Sequence, residues 1–552
     1  MANLQTPKIR RSSMSEQSTP RTVSGAEGQR ASTGASRPKA LYLRLFLFFA
    51  VLGTLWAVAT PLMAYPDEPS HTIRAAAVVR GQIAVEPGQS FGNGVHVQVP
   101  AYIANLEAQK CFAFYRERTA NCAPAIPAGD NFDAIGVTSA GTYNPMYYWF
   151  VGLPSLVMSG APAIYAMRIV SVLASALFYA AAFMALTRLR RPKWPIVAAS
   201  LAITPMALFL ASGINPNSIE IPTTMAAFCA LLAVLDNSGR LRQVLPAIAT
   251  VGAATAVLAN TRSVSLVWLL CGVVTACLFF RWGSVKRLFV NRYVLVTVGL
   301  AAIGVALGLL WIVVSMNAPA STGTAPEGIA NPAPNVAPYQ AFVTMLDRTF
   351  DFIPQYIGVT GWLDTPVPQG VVAFWSMLFV ATFLLPVLAR PRRLFWGMLV
   401  ALLALAVVPA LLQASLISTV GFFWQGRYSM PLVLIAFVSA GMAWRTHHFP
   451  SGQRSRAIGR VLMLAVVVAH VSSFLYILRR YVVGIIDIST WQTMISHPSW
   501  QPPLGWFVLT ALYTVVLLWA AQRLYTYLFP GHSLLRLPAK LARRLPGQPA
   551  NA

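Results

Sequence analysis

Apolar residues in this sequence come in long blocks, with polar residues gathered in short segments between them. Runs of roughly 17–25 predominantly apolar residues recur along the chain. A helix of this length crosses the hydrocarbon core of a bilayer, which is about 30 Å thick. The residue-by-residue alternation that is typical of transmembrane strands is absent from the sequence. The pattern therefore predicts an all-α, polytopic helical membrane protein.

The length and spacing of the apolar runs predict about 12 transmembrane helices. They fall at residues 45–64, 163–187, 195–212, 218–236, 243–260, 264–280, 293–316, 371–389, 394–415, 428–445, 461–478 and 505–525. The first run lacks a small-residue cleavage motif, so we expect it to be retained as an anchor. The segment 145–160 is apolar but short and contains Pro154, which predicts a re-entrant or interfacial piece.

The polar segments divide the chain around this transmembrane domain, which we place at 41–528. Residues 1–40 are rich in Ser, Thr, Gly, Arg and Gln and are predicted to form a disordered cytoplasmic tail. Residues 529–552 form a basic tail, which is also predicted to be cytoplasmic. Three long segments are expected to face the exterior. They are the loops 65–162, 317–370 and 479–504.

The distribution of charge sets the predicted orientation. The chain has 41 Lys and Arg residues against 16 acidic ones, yet only 10% of its residues are charged. Most of the basic residues fall in the short loops and tails assigned to the cytoplasm, as the positive-inside rule requires. An extra crossing at 145–160 would move the basic run 188–193 to the outside. We therefore expect a multi-pass protein of the plasma (inner) membrane with both termini cytoplasmic, and no nucleic-acid partner.

Two cysteines lie close together in the first external loop, in the segment CFAFYRERTANC. An exterior, oxidising location favours a disulfide between Cys111 and Cys122. A zinc site there would need two further ligands, and the only close candidate is His96. The disulfide is the simpler interpretation.

The candidate chemistry begins directly after the first span, in YPDEPSHTIRAAAVVRGQ. The proline in this segment favours the first turn of a helix, which would place Asp67 and Glu68 at its mouth. His71 and Arg74 are three residues apart and would share a face of that helix. An ionised carboxylate there could accept a proton or hold a divalent cation such as Mg or Mn. The alternative is an ordinary helix cap beside a solvated turn.

Further polar residues are predicted on the same side of the membrane. Asn215 lies in GINPNS, Arg262 in the turn between the fifth and sixth spans, and Arg427 in WQGRYSMP. Arginine suits bidentate contact with phosphate, so the two arginines could bind the phosphate of a lipid-linked substrate. The alternative is that they anchor the protein at the interface, or that Arg262 pairs with Glu220.

Several of these segments together resemble a known family of actinobacterial membrane proteins, the domain-of-unknown-function 2142 family. The segments are PDEPSHTIRAAAVVRGQ, CFAFYRERTANC, TYNPMYYWFVGLP, SGINPNSIE and WQGRYSMP, and the resemblance covers residues 41–525. That family is in turn similar to the GT-C class of integral-membrane glycosyltransferases. This resemblance implies a large first extracytoplasmic loop, with Asp67 as catalytic base and Glu68 as its support or as a metal ligand. His71 departs from the pattern, because a generic GT-C site does not need it.

The leading functional hypothesis is therefore sugar transfer on the outer face of the membrane. The donor would be a polyprenyl-phosphate-linked sugar, the acceptor an envelope glycan, lipid or protein, and the reaction inverting. A transporter or flippase of a lipid-linked sugar or small solute is the main alternative. A non-catalytic envelope assembly protein is the third.

Overall fold

A computed structural model describes residues 38–85, 90–91, 94–316, 333, 335–388, 391–485 and 490–535. Residues 1–37 and 536–552 of the two predicted tails lie outside the described residues, and so does most of the first part of the predicted loop 317–370. The described part of the chain is nearly all helical. This agrees with the predicted fold class.

The described residues form twenty α-helices and five short strands. The helices are α1 (Pro38–Ala59), α2 (Glu68–Val79), α3 (Ala101–Ala104), α4 (Pro145–Gly152), α5 (Gly160–Leu186), α6 (Lys193–Ala202), α7 (Pro205–Leu210), α8 (Asn217–Asp236), α9 (Leu245–Ala259), α10 (Ser265–Leu278), α11 (Trp282–Leu288), α12 (Arg292–Met316), α13 (Pro338–Asp347), α14 (Ile353–Gly358), α15 (Gln369–Leu384), α16 (Arg392–Val420), α17 (Gly426–Trp444), α18 (Gln453–Val483), α19 (Thr490–Ser496) and α20 (Trp506–Leu528). The strands are β1 (Ser90–Phe91), β2 (Gly94–Pro100), β3 (Asp133–Thr138), β4 (Val359–Thr360) and β5 (Thr365–Pro366). They form two antiparallel sheets, β1-β2-β3 and β4-β5.

Ten helical segments among the described residues are long and apolar enough to cross a membrane. They correspond to ten of the twelve predicted spans. The sixth predicted span is the fourteen-residue helix α10, which is shorter than the other ten. The third predicted span is divided into α6 and α7. The predicted number of twelve crossings therefore stays a prediction, while the multi-pass helical architecture is confirmed.

The break between α6 and α7 has a local cause. Pro205 disfavours helical geometry at the residue before it, and Thr204 is accordingly extended, with φ −73° and ψ 166°. The Thr204 hydroxyl accepts a hydrogen bond from the Ala207 amide and donates one to the Tyr356 carbonyl at 2.7 Å. Apolar periodicity alone cannot reveal such an interruption, because the residues on both sides of it are apolar.

Two helices, α8 and α17, form the centre of the bundle and are almost completely buried. Each contains an internal proline near its start. Pro222 cannot donate to the Ser218 carbonyl one turn earlier, and the Ser175 hydroxyl of α5 donates to that carbonyl instead, at 2.7 Å. Ser171 and Ser218 also share a hydrogen bond of 2.7 Å. Such polar contacts join helices where neighbouring lipid supplies no hydrophobic driving force.

One end of the bundle gathers loops that the sequence assigns to the cytoplasm. Arg445, after α17, pairs with Asp236 at the end of α8, with 2.9 Å between Nη2 and Oδ1. Lys193, which starts α6, donates to the Leu528 carbonyl at the end of α20, at 2.9 Å. We call this the Asp236 end.

The three predicted external segments meet one another at the opposite end. Arg480, fully buried near the end of α18, donates to the carbonyls of Phe112 and Tyr115 at 2.7 and 2.8 Å. Asp364 accepts a hydrogen bond of 2.8 Å from the Phe114 amide. The described residues that make these contacts, from the segments 65–162, 317–370 and 479–504, therefore lie at the same end of the bundle. We call this the Asp67 end. The external position of these segments stays a prediction.

The segment 145–160 forms the eight-residue helix α4 and a 3-10 turn, Leu153–Leu156. Eight residues of helix extend about 12 Å, far less than the hydrocarbon core. Trp149 and Phe150 are half exposed, whereas Tyr148 is buried. These dimensions agree with the predicted re-entrant or interfacial piece and exclude a helical crossing by this segment.

The first external segment also contains the predicted disulfide. Cys111 and Cys122 are bonded, with Cα atoms 6.1 Å apart. The three remaining cysteines, Cys229, Cys271 and Cys277, are unpaired and lie within α8 and α10.

The arrangement of loops allows a direct test of topology. Ser139 and Ser451 are exposed at the Asp67 and Asp236 ends, respectively. With the three free cysteines replaced by Ala, we expect a membrane-impermeant maleimide to label Ser139→Cys in intact cells. It should label Ser451→Cys only after permeabilisation, because the positive-inside rule places the Asp236 end in the cytoplasm. Labelling of both variants in intact cells would contradict this topology.

Candidate functional site

Asp67 lies at the turn that joins α1 to α2, one residue before α2 begins. Its backbone is left-handed, with φ 60°, and its side chain does not cap the helix. Instead its Oδ2 accepts a hydrogen bond of 2.7 Å from Arg427 Nη2 at the start of α17. The Asp67 side chain is 44% exposed. One carboxylate oxygen is therefore held by an arginine while the group stays accessible from outside.

Arg427 is 3% exposed and has unused hydrogen-bonding capacity. Its Nη2 contacts Asp67 and also donates to the Tyr428 hydroxyl at 3.1 Å. Its Nε and Nη1 are buried, and no described residue accepts a hydrogen bond from them. Buried donors without partners are rare in native structures and call for an explanation, such as a bound anion. Arg427 thus retains two buried donors that an anionic ligand could use.

A second arginine contacts the same tyrosine. Arg262, in the turn between α9 and α10, donates to the Asn217 side chain at 2.7 Å and pairs with Glu220 at 3.4 Å. The guanidinium carbons of Arg262 and Arg427 lie 5.1 and 5.0 Å from the centre of the Tyr428 ring. This pairing of Arg262 with Glu220 is the alternative that the sequence offered to phosphate binding. The structure brings both predicted phosphate-binding arginines to one place.

Arg262 and Tyr428 line a cavity of about 450 Å³. Its walls come from the turns beside Arg262 and Tyr428, from the 142–144 segment and from two peripheral helices. Those helices are α12, through Gly308, Trp311, Ile312 and Ser315, and α16, through Leu412 and Leu416. Most of α12 is exposed on the outside of the bundle, where lipid would surround it. The cavity therefore combines an apolar wall next to lipid with a cationic group.

His71 is buried close to these charges. Its Nδ1 lies 2.8 Å from the Tyr148 hydroxyl, and the two rings stack with their centres 5.9 Å apart. Burial lowers the pKa of His71 to about 3, against the opposing charge of Asp67. The imidazole is therefore neutral at physiological pH and adds no positive charge to the site.

The pKa of Asp67 reflects the same neighbours. Burial raises the pKa of its carboxyl and is the largest single effect, but the positive charge of Arg427, its hydrogen bond and weaker effects of other neighbours together outweigh it, and the net pKa is lower than usual. Arg262 acts in the same direction as Arg427, more weakly. Asp67 is consequently ionised at neutral pH and able to accept a proton.

Glu68 has a different environment from its neighbour. Its two oxygens accept hydrogen bonds of 2.7 and 2.6 Å from Arg168 of α5, and both side chains are fully buried. The remaining Arg168 nitrogen–hydrogen groups donate to the carbonyls of Ala57, Thr60 and Pro61. Glu68 is therefore inaccessible to a substrate. This geometry favours the supporting role expected for it over the role of metal ligand.

Two other predicted site residues brace the backbone. Arg74 donates to the carbonyls of Gln82, Ile83 and Tyr143 at 2.7–3.1 Å, and only 1% of it is exposed. Its guanidinium is bound by these carbonyls within the loop after α2. Arg74 therefore does not form an accessible face together with His71, contrary to the prediction. Asn215 donates to the Pro66 carbonyl at 2.9 Å and fixes the turn before Asp67.

The described residues do not offer a set of ligands for a metal ion. Among them, no group of three or more His, Cys, Asp and Glu side chains is placed to hold a metal ion. The carboxylates of Asp67 and Glu68 are instead engaged by arginines.

Residues 48–436 match a family described as a predicted membrane protein, DUF2142. This match covers more than half of the chain. The chain belongs to the DUF2142 family. No curated protein matches it. The family assignment of this DUF2142 protein agrees with the resemblance noted in its sequence, and the family description carries no reaction.

Sequence reasoning about this DUF2142 protein missed two contributors to the site. Arg168 falls within the predicted span 163–187, where apolar periodicity predicts no role for it, although a charge inside an apolar span is itself a signal of a buried partner. No sequence signal points to Tyr428, because an aromatic residue near a span end is typical of the membrane interface. Only the fold shows that its ring contacts two arginines.

The buried ion pair generates a stability prediction. Glu68→Gln leaves the Arg168 charge buried without a counter-ion, and we expect a loss of about 3–5 kcal/mol in the free energy of unfolding. The measurement is thermal unfolding of the purified protein in detergent. Glu107→Gln is the matched control, since Glu107 pairs with Lys110 at the surface and should contribute at most about 1 kcal/mol. Equal stability of the two variants would refute a structural role for the pair.

Proposed function

We propose that this protein is a GT-C-like membrane glycosyltransferase. It transfers a sugar from a polyprenyl-phosphate donor to a cell-envelope acceptor at the outer face of the plasma membrane. The observation that carries the proposal is the pair of Asp67 and Arg427. A half-exposed carboxylate and an arginine with unused donors adjoin, through Tyr428, a cavity that borders lipid.

The composition of the site fits a lipid-linked phosphate. The apolar side chains that α12 and α16 contribute to the cavity suit a prenyl chain. The guanidinium groups of Arg262 and Arg427 suit the phosphate at its end, since arginine matches phosphate geometry. Asp67, joined to Arg427, would then lie beside the sugar that the phosphate carries. The orientation of the site toward the exterior rests on the basic loops at the opposite end of the bundle.

The proposed reaction is a single displacement with inversion at the anomeric carbon. Asp67 accepts the proton of an acceptor hydroxyl as the acceptor oxygen bonds to the anomeric carbon. The bond between that carbon and the phosphate oxygen breaks, and the lipid phosphate leaves with the electron pair. Arg262 and Arg427 stabilise the charge that develops on it.

Removing the base tests the proposal. Asp67→Asn keeps the shape of the side chain but removes its capacity to accept a proton, so we expect transfer to fall by at least about 100-fold. The measurement is glycan analysis of a deletion strain complemented with each variant, with the amount of membrane-inserted protein determined in parallel. A sugar restored by the wild type and not by this variant would identify the product.

The matched control is Asp133→Asn. Asp133 is an exposed carboxylate in β3, within the same external segment, and among the described residues it forms no ion pair with Arg262 or Arg427. We expect it to behave as wild type. Full restoration of the glycan by Asp67→Asn would remove Asp67 from the mechanism.

The lowered pKa of Asp67 predicts a pH dependence. A base must be deprotonated, so kcat/KM should fall only when the pH drops below the ordinary carboxyl pKa of about 4. Arg427→Gln removes the charge that lowers this pKa, so the acid limb of its profile should move to higher pH, beneath a lower plateau. An acid limb at the same pH in both enzymes would show that Asp67 is not the titrating base.

A further inference from the structure

Two aromatic rings meet at the Asp67 end, one from the disulfide-closed loop and one from the turn between β4 and β5. Phe114 is 68% exposed, and its ring contacts that of Trp362 edge to face, with the ring centres 5.8 Å apart. The Lys110 ammonium lies 5.2 Å from the centre of the Trp362 ring. We call Phe114 and Trp362 the aromatic ledge. A large apolar ring left in solvent at a fixed position is a candidate recognition surface.

Several contacts hold Phe114 in this unfavourable position. Its backbone is left-handed, with φ 68°, a conformation that costs a bulky residue free energy. The Asp364 carboxylate holds its amide at 2.8 Å, and Arg480 holds the carbonyls of Phe112 and Tyr115 on either side. Buried hydrogen bonds thus hold the backbone around Phe114 in a conformation that leaves its ring exposed. Strain of this kind is typical of functional sites.

The ledge is connected to the turn that carries Asp67. Trp362 Nε1 donates to the Met63 carbonyl at 3.0 Å, and Met63 precedes Asp67 by four residues. Four residues of chain span at most about 14 Å. Met63, Asp67, Phe114 and Leu363 are four of the five described non-glycine residues with positive φ. The strained backbone of the described chain is therefore concentrated around the ledge and Asp67.

We propose that the aromatic ledge binds the acceptor and that the acceptor is a carbohydrate chain. Only the acceptor role rests on the proposed function, since carbohydrate binding itself does not require a transfer reaction. Aromatic rings with polar neighbours suit a sugar, which offers an apolar C–H face together with hydroxyl groups. Of the glycan, lipid and protein acceptors that the sequence leaves open, this selects the glycan.

The charges around the ledge favour a neutral polymer over the bilayer surface. Lys110 forms an ion pair with Glu107, and Asp364 pairs with Arg480 at 3.5 Å. In the disulfide-closed loop the exposed Arg116 and Arg118 outnumber Glu117 by one. A single net positive charge falls well short of the clusters of about four to eight basic residues that bind anionic lipid headgroups. Binding of the hydroxyl groups of a sugar does not need a positively charged surface on the protein.

Binding of soluble sugars tests the proposal without any transfer reaction. The probes are linear hexasaccharides of glucose, mannose, galactose and arabinose, added to the full chain in nanodiscs and followed by saturation-transfer NMR. We expect at least one to bind the wild type and to bind Phe114→Gly about tenfold more weakly. Glycine removes the ring and relieves the positive φ, so this variant should fold. Failure of all four sugars to bind the wild type at millimolar concentration would overturn the proposal.

Phe132→Ala is the matched control. Phe132 is 67% exposed in the same external segment, outside the ledge, and its replacement should leave sugar binding unchanged. Equal weakening in both variants would overturn a specific role for the ledge.

Asp67→Asn should retain sugar binding while losing transfer. Binding by this variant therefore supports the ledge even if the proposed reaction fails, and its transfer assay tests the reaction independently.

A photoreactive residue distinguishes sugar from membrane at the same position. Benzoylphenylalanine introduced in place of Phe114 should, on irradiation of the nanodiscs with the bound hexasaccharide, form adducts with the sugar that are identified by mass spectrometry. Adducts with phospholipid alone would show that the ledge inserts into the bilayer and would overturn the proposal.

Discussion

The buried ion pair between Glu68 and Arg168 is the interaction on which the rest of the site depends. It joins residues 100 positions apart and also satisfies three carbonyls in and just after the last turn of α1. A pair removed from water is stable only when its remaining hydrogen-bonding groups are also satisfied, and here all the donors of Arg168 are used. The turn between α1 and α2 is consequently rigid, and the residue before Glu68 has a fixed direction.

That residue is Asp67, and the contrast between the two neighbouring acids explains how one motif serves two purposes. The Glu68 side chain is buried inside the bundle and is inaccessible to solvent. The positive φ of Asp67 instead turns its side chain toward Arg427 and the surface. Both carboxylates contact arginine, but only Arg427 keeps donors free. The buried pair of Glu68 and Arg168 thus stabilises the structure, and the proposed chemistry falls to the accessible pair of Asp67 and Arg427.

Arg480 has a comparable role for the outer loops of the Asp67 end. It is fully buried and binds carbonyls of the disulfide-closed loop, while Asp364 connects that loop to the second external segment. The segment that displays Phe114 is therefore attached to the transmembrane bundle itself. Such buried charges fix the loops, and they would therefore keep the proposed acceptor ledge and the proposed donor cavity at a constant position relative to Asp67.

The sequence by itself determined the multi-pass helical architecture, the pairing of Cys111 with Cys122 and the choice of Asp67 as the leading candidate. These follow from local properties, namely the length of apolar runs, the oxidising side of the membrane and a carboxylate beside a span end. It did not separate the role of Glu68 from that of Asp67, and it missed Arg168 and Tyr428. Those assignments depend on which side chains from distant helices meet, and apolar periodicity carries no information about partners. Only tertiary packing decides which charge is buried and which stays open to a substrate.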